Sequence, residues 1–570
     1  MKREYIVTLK NREDLKSFYE DMETFGGTQY IPDREVELKD RRAISRNTHY
    51  LLTDEESEEL RKDKRVLFVE LTPEERGLKL IRHDSYIVSG DFDKKPESGD
   101  LNWGILHCAG NETQRRKGVF GLDQTEQVTD SVTVFNDGEN VDVVIVDEPV
   151  AYDHDEFLDP YTGQTRFVQY QWFNELDQYM VDLDTQESDY QNFIDSNNTN
   201  ITYYNCSELD TWNLYHGTHV AGTVLGKRQG WARKSNLYSI AVIGGEYVGS
   251  NNVISPLRLF DYLRAFHLNK LNNSFGKINP TVTNHSWGYS SFVKFTDLSQ
   301  IESVYHRGVL YENSGSWTES YIESTFGVQI LHIEEDGEFF LGVYIPAKVN
   351  SVDIDVEDAI KDGVIVVAAS GNEYSYGVNS NSEDYDNIIS FSVNTENPDL
   401  IVNDGNYSSA AFYFNRGSSP GSAEDCINVG NISANVDFSR NPSSNYGPIV
   451  DVFAPGTNIL SCVPDSQSTD RYGSLTGTSM ASPQVAGIIS CFCTNKDKSE
   501  VNNNSSLNYI QTFGIYDEMS ENNFNDNLQG TKNLTIACKD RRLEYSILNF
   551  NHTPRKEYGV VYPRRKISKI

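Results

Sequence analysis

The amino-acid sequence predicts an α/β fold, a mostly parallel sheet with helices on both faces, with a small α+β unit ahead of it. Two observations carry this. Four short, continuously apolar runs, VDVVIV (141–146), NLYSIAVI (236–243), GVIVVAAS (363–370) and CINVGNIS (426–433), are separated by helical patterns such as those at 256–268 and 354–362. Strands apolar on both sides are strands buried on both faces, and in a parallel sheet the covering helices come between them in the chain. The second observation is a compact alternation of strand and helix signals in the first 75 residues.

In that first unit, EYIVTL (4–9) reads as a strand and the charged stretch 12–24 as a helix. THYL (48–51) alternates like a strand. Thr53 then caps a helix, with Glu56 three residues on completing a capping box, and VLFVEL (66–71) is the next strand. An acidic linker is expected over 76–100, where SGDFDKKPESGD closes the stretch. The main domain is expected over 101–515, with insertions at 157–212 and 290–352. Residues 516–570 form a C-terminal extension of no assigned class, ending in the basic residues Arg564, Arg565, Lys566 and Lys569.

Composition narrows the partners. The 570 residues hold 50 Lys and Arg against 84 Asp and Glu, a formal charge of −34. Such a surface repels polynucleotides, so no nucleic-acid partner is expected. No apolar run long enough to span a bilayer occurs, so no membrane partner is expected either. The start MKREYIVTLK lacks the apolar core of a secretion signal, and seven cysteines show no framework spacing. The expectation is a cytoplasmic or virion-associated protein.

Three segments carry chemistry: HGTHVAGT (His216–Thr223), AASGNE (Ala368–Glu373) and GTSMASPQVAG (Gly477–Gly487). They resemble the histidine, oxyanion and serine motifs of the subtilisin (subtilase) family, in that family's order, with the aspartate strand VDVVIVD upstream. The residues agree with the resemblance. A serine hydroxyl is a weak nucleophile and needs a base; Ser479 stands among small residues at the start of an apolar helical pattern, where helix-end amides favour developing negative charge. His216 opens a second helical segment, and an imidazole serves as base and then acid near neutrality. His219 reads as a packed helix histidine, and His107, His154, His267 and His285 as structural. Asn372 follows an apolar strand and a Ser-Gly turn. Its amide, with the backbone N–H of Ser479, forms the expected oxyanion hole. Asp147 ends the aspartate strand and completes the expected triad with His216 and Ser479; Asp142 and Asp153 are the alternatives. TNHSWG (283–288) resembles the family's substrate-binding strand, so Ser286, Trp287 and Gly288 are expected to pair with a peptide backbone.

The resemblance implies a subtilisin-like fold and a serine endopeptidase working through an acyl-enzyme on Ser479. It also implies a polypeptide substrate and a propeptide-like unit at 1–75 acting as inhibitor, with LNWGI (101–105) like the start of a mature chain. No cofactor is required for that chemistry. Structural calcium fits the family, but the loop GKRQGWARKS is shorter than its usual calcium loop. The layout is similar to subtilases of large phages and marine viruses. Two departures stand out: Glu148-Pro149 follows Asp147 where the family has a hydroxyl residue and glycine, and Tyr289 stands where a second glycine is usual, which is expected to narrow the primary pocket. The first departure motivates the competing reading, a catalytically weak virion or scaffolding protein that keeps the fold.

Overall fold

The computed structural model of the chain describes residues 2–42, 44–82, 102–109, 136–159, 161–170, 172, 203–204, 206–211, 213–248, 253–335, 337–392, 409–434, 438–464, 471–516, 519 and 531–537. Most of the expected linker, the centre of the 157–212 insertion, Leu101, Cys538 and the basic C-terminal tail lie outside the described residues.

The four apolar runs are strands of one eight-stranded sheet. Its order is Ile515–Tyr516, Leu534–Thr535, Val452–Pro455, Ile427–Ile432, Ile365–Ala369, Thr281–His285, Asp142–Asp147 and Asn236–Ala241. All neighbours are parallel except the first pair at the edge. Alternation explains why the runs are apolar throughout. Val143 and Ile145 belong to a core shared with the helices His216–Leu225 and Thr478–Phe492. Val144 and Val146 belong to a second core with Pro256–Asn269 and Asn350–Asp362. A strand with a core on each face favours apolar side chains at successive positions. The edge strand Leu534–Thr535 lies inside the stretch that the sequence left unassigned.

Three adjacent strands, Asp142–Asp147, Thr281–His285 and Ile365–Ala369, end side by side. Their carboxyl ends deliver Asp147, Ser286 and the Ser370–Asn372 turn to one edge of the sheet. Ligands of open parallel sheets bind outside such strand ends.

The first unit is a four-stranded antiparallel sheet, ordered Leu38–Asp40, Asn47–Leu52, Arg3–Leu9, Val66–Leu71, with helices Leu15–Glu23 and Asp54–Leu60. The Thr53–Glu56 capping box is present. Tyr5, Val7 and Leu9 fill its own core with Phe18 and Met22, whereas Ile6 joins the second core of the main domain. Polar groups fasten the unit to the two helices of that core. Arg42 bonds Asp261 at 2.5 Å and Asp355 at 2.9 Å, with all three side chains at most 2% exposed. Arg46 pairs with Asp358 at 2.8 Å, and Glu70 accepts the backbone N–H of Ser351 at 2.7 Å in the first turn of Asn350–Asp362. Leaving one half of a buried ion pair alone costs on the order of 3–5 kcal/mol, so this contact resists piecemeal opening.

The expected insertion after residue 290 is built as sheet. Trp287–Phe295 pairs with Glu338–Pro346, which pairs with Leu331–Glu335; a second sheet joins Val309–Glu312, Ile301–His306, Ile388–Ser392 and Ser409–Tyr413. Phe295, Ile301, Ile322 and Phe391 are in the core between them. Residues 79–82, expected as linker, form a strand on the other edge of Trp287–Phe295.

Candidate active site

His216 is the first residue of its helix, and its Nδ1 lies 2.6 Å from Asp147 Oδ1, both side chains fully buried. An ionised carboxylate only accepts, so Nδ1 carries the proton and Nε2 is left as the basic atom. Asp147 Oδ1 also accepts the backbone N–H of Glu148 at 2.7 Å, and Oδ2 has no hydrogen-bond partner among the described residues. Glu148, which stands where a hydroxyl residue was expected, turns its Oε2 to the backbone N–H of His216 at 2.9 Å. It thus satisfies an orphan amide at the positive end of the helix. Gly217 allows this approach, because a Cβ there would meet the Glu148 carbonyl oxygen at 2.2 Å. Of the alternative carboxylates, Asp142 is salt-bridged to Lys270 at 2.6 Å at the far end of its strand. Asp153 accepts the backbone N–H of Cys206 at 2.8 Å.

Ser479 is in the first turn of its helix, and its hydroxyl donates to the carbonyl of Ser286 at 2.9 Å. The Ser286 hydroxyl in turn bonds the carbonyl of Ser479 at 3.0 Å. The reason is local. Pro483, four residues on, has no N–H to close the helical bond to Ser479, and Ser286 supplies the missing donor. Nucleophile and binding strand are therefore tied together twice.

Asn372 follows Ile365–Ala369 through Gly371, whose φ of +102° is a left-handed conformation suited to glycine. Asn372 Oδ1 accepts from the backbone N–H of Thr478 at 3.1 Å and from its hydroxyl at 3.2 Å. These bonds fix the flip of the amide, and Nδ2 is buried with no partner among the described residues. Behind this turn stands Asn445, which the sequence did not single out. Its Nδ2 donates to the carbonyl of Ser370 at 2.8 Å and to Glu373 Oε2, while its Oδ1 accepts from the N–H groups of Glu373 at 3.0 Å and Ser375 at 2.9 Å. SSNYGP reads as an ordinary loop, and only the fold brings it here.

Burial pushes the carboxyl of Glu373 up to about 7, against hydrogen bonds from Asn445 and nearby backbone that lower it. As pH rises past 4.5, the unfolded chain ionises first while the folded one keeps its proton, so stability falls until about pH 7 and then levels. Glu373→Gln removes that loss. In a Ser479→Ala background it should match the parent near pH 4 and be more stable by roughly 3 kcal/mol at pH 8. Denaturant midpoints at the two pH values measure this, and an equal difference at both would refute the burial account.

Two of the three residues expected to take peptide backbone, Trp287 and Gly288, pair with a strand of the chain itself. Lys79–Arg82 pairs antiparallel with Trp287–Ser290, Arg82 opposite Trp287 and Ile81 opposite Gly288. Ser286, the third expected residue, lies just beyond this register and pairs with no strand residue among the described residues on that edge. Tyr289 is buried in the second core, edge-on to Trp287 at 6.2 Å, rather than standing open at a pocket mouth.

The histidines read as structural are packed among the described residues. His219 Nε2 donates to the carbonyls of Ile459 and Gly473, and His107 packs against Trp103 and Phe438. Burial lowers His154 to about 4 and His267 and His285 to about 3, which keeps them neutral. Among the described residues no group of three or more His, Cys, Asp or Glu is arranged to hold a metal ion. No helix among them is long and apolar enough to cross a membrane.

The family model described as the subtilase family matches residues 138–512, well over half of the chain. The chain belongs to the subtilase family. Among its relatives is subtilisin-like protease 10 of Arthroderma otae, 48% identical over 71 residues, which are 12% of this chain and 17% of that protein. An alkaline proteinase of Hapsidospora chrysogena is 26% identical over 51% of this chain and 46% of its own. This subtilase thus spans less than half the length of those two curated relatives. A cold-adapted subtilisin-like serine proteinase of known structure, 18% identical, aligns over 77% of this chain and 98% of its own with a TM-score of 0.41. The viral layout expected from the sequence finds no support in these relatives.

Proposed function

We propose that this subtilase is a serine endopeptidase whose first substrate is its own chain. The observation that carries this is a peptide strand already seated at the site: Lys79–Arg82 runs antiparallel along Trp287–Ser290 toward Ser286, and the carbonyl of Ser286 holds the Ser479 hydroxyl.

The chemistry follows from the groups assembled. The Ser479 hydroxyl leaves Ser286, passes its proton to His216 Nε2, and its oxygen attacks the carbonyl carbon of the residue arriving opposite Ser286. The negative oxygen takes hydrogen bonds from Asn372 Nδ2 and the backbone N–H of Ser479, a donor of this kind being worth on the order of 10²–10³ in turnover. Collapse breaks the C–N bond, and the leaving amine takes the proton from His216. Water, deprotonated by the same imidazole, then cleaves the acyl-enzyme. Asp147 holds the Nδ1 proton throughout and stabilises the imidazolium. No metal or organic cofactor enters these steps. After cleavage, the first unit stays on the Arg42–Asp261–Asp355 contact with its last strand in the substrate position, as an inhibitor.

A fluorophosphonate probe tests the reading, because it bonds only to a serine activated by its base. The expected result is one labelled site, mapped by peptide mass to Ser479. Unlabelled protein under conditions where a known serine protease labels fully would favour the scaffolding reading instead.

A further inference from the structure

The peptide-pairing strand is longer than the peptide now paired with it. Trp287–Phe295 has nine residues, and Lys79–Arg82 covers only Trp287–Ser290 on one edge. The other edge is taken from Ser290 to Phe295 by Glu338–Pro346. On the edge of Lys79–Arg82, no strand among the described residues pairs with Ser291–Phe295.

The direction of the backbone groups follows from one residue. Tyr289 donates its N–H to Ser419 and accepts from Ala347, so its groups point away from Lys79–Arg82. With a period of two, those of Ser291, Val293 and Phe295 point the same way, and those of Phe292 and Lys294 point to the edge that Lys79–Arg82 takes further along. The side chains alternate as well. Val293 and Phe295 are buried in the insertion's core. Phe292 lies on the outer face, its ring tilted against that of Tyr344 with centroids 4.5 Å apart, and Tyr344 is 41% exposed. The chain's own segment does not use this extension. Counting back from Lys79, the position opposite Phe292 belongs to Gly77, and there the backbone turns away, with φ of +65° and a bond from the Leu78 N–H to the Pro73 carbonyl.

We propose that the edge at Phe292 and Lys294 is an extension of the substrate-binding strand. It takes acyl-side residues of a polypeptide substrate up to eight positions before the one opposite Trp287. Opposite residues in an antiparallel pair place their side chains on the same face. The residue five before that position therefore lies on the Phe292–Tyr344 pair and is selected for being aromatic or large and apolar. The inference rests on the endopeptidase reading and deepens it: extended substrates gain contacts that the first unit, as inhibitor, does not make.

The test uses the purified, self-processed enzyme and internally quenched peptides. One carries this chain's own 79–86 sequence, KLIRHDSY. The second adds five residues before the lysine, with phenylalanine placed to fall opposite Phe292. A third is the second with that phenylalanine amide N-methylated. The long peptide is expected to have a kcat/KM about tenfold or more above the short one, a gain that remote contacts supply. The methyl group, which removes the backbone donor facing the Phe292 carbonyl, should return it to within about threefold of the short peptide. Equal kcat/KM for the short and long peptides overturns the extended edge while leaving the endopeptidase standing. A long-peptide gain that survives N-methylation overturns the strand pairing. Failure to cut either peptide overturns the endopeptidase reading and this inference with it.

Discussion

The Ser479→Ala chain is expected to lose proteolysis by about 10⁶-fold and to remain full length, whereas the wild type acquires a new N-terminus beyond Arg82. The size of the loss follows from the division of labour at the site. Nucleophile and base act as one unit, so removing either leaves only what the oxyanion donors and substrate binding provide. The position of the new terminus follows from register. Arg82 faces Trp287, a substrate continuing in that register would put its next residue opposite Ser286, and the Ser479 oxygen is hydrogen-bonded there. Alanine removes one hydrogen bond to the Ser286 carbonyl, a cost of about 1 kcal/mol, which a domain of this size tolerates. Intact mass and casein turnover of the two proteins side by side check the expectation. A variant with the wild-type terminus and wild-type turnover would show that the bond-breaking group lies elsewhere.

How far the sequence could be read depends on the distance over which each group acts. The main sheet was legible because double-sided burial writes an unbroken apolar run, as in Asp142–Asp147 and Ile365–Ala369. Ser479, His216 and Asn372 were legible because GTSMASPQVAG, HGTHVAGT and AASGNE resemble the subtilase motifs, and the small residues around them agree with a nucleophile at a helix start and an amide after a strand. Glu148 is legible only in part: beside Asp147 it stands where the family has a hydroxyl residue, and its partner is a backbone N–H 68 residues away. Arg42 is the same case at longer range, since Asp261 and Asp355 lie 219 and 313 residues on and nothing local marks a fully buried guanidinium. Lys79–Arg82 falls in the expected linker because four residues with two charges carry no strand pattern. Its strand character comes from the edge of Trp287–Ser290, which supplies hydrogen bonds whatever the side chains. The insertion's second sheet was missed because Val309–Glu312 is largely exposed and the run Ile301–His306 is only partly apolar.

Asp147→Asn is expected to lower kcat by about 10⁴, less than the loss at Ser479, with the fold intact. The carboxylate accepts the Nδ1 proton of His216 at 2.6 Å and the N–H of Glu148 at 2.7 Å, both on Oδ1. An asparagine is neutral and no longer stabilises the imidazolium, and where its NH₂ takes the place of Oδ1 it donates to the ring at the expense of the Glu148 amide bond. The imidazole then accepts at Nδ1 and carries its proton on Nε2, and that nitrogen can no longer take the proton of Ser479. The bare Oδ2 makes this aspartate more exposed to such a change, because no second partner in the described residues fixes its orientation. Glu148 acts on the backbone of His216 rather than on its ring, so Glu148→Gln, which keeps an acceptor for that N–H, should cost less than about tenfold. Asp153→Asn serves as the control, since that side chain holds Cys206 and does not reach the imidazole. Rates on one quenched peptide, with circular dichroism to confirm folding, rank the three variants. If Asp153→Asn fell as far as Asp147→Asn, the assignment of the aspartate would be wrong. If Glu148→Gln fell by 10³ or more, the negative charge of Glu148 would belong to the chemistry and not only to the start of the helix.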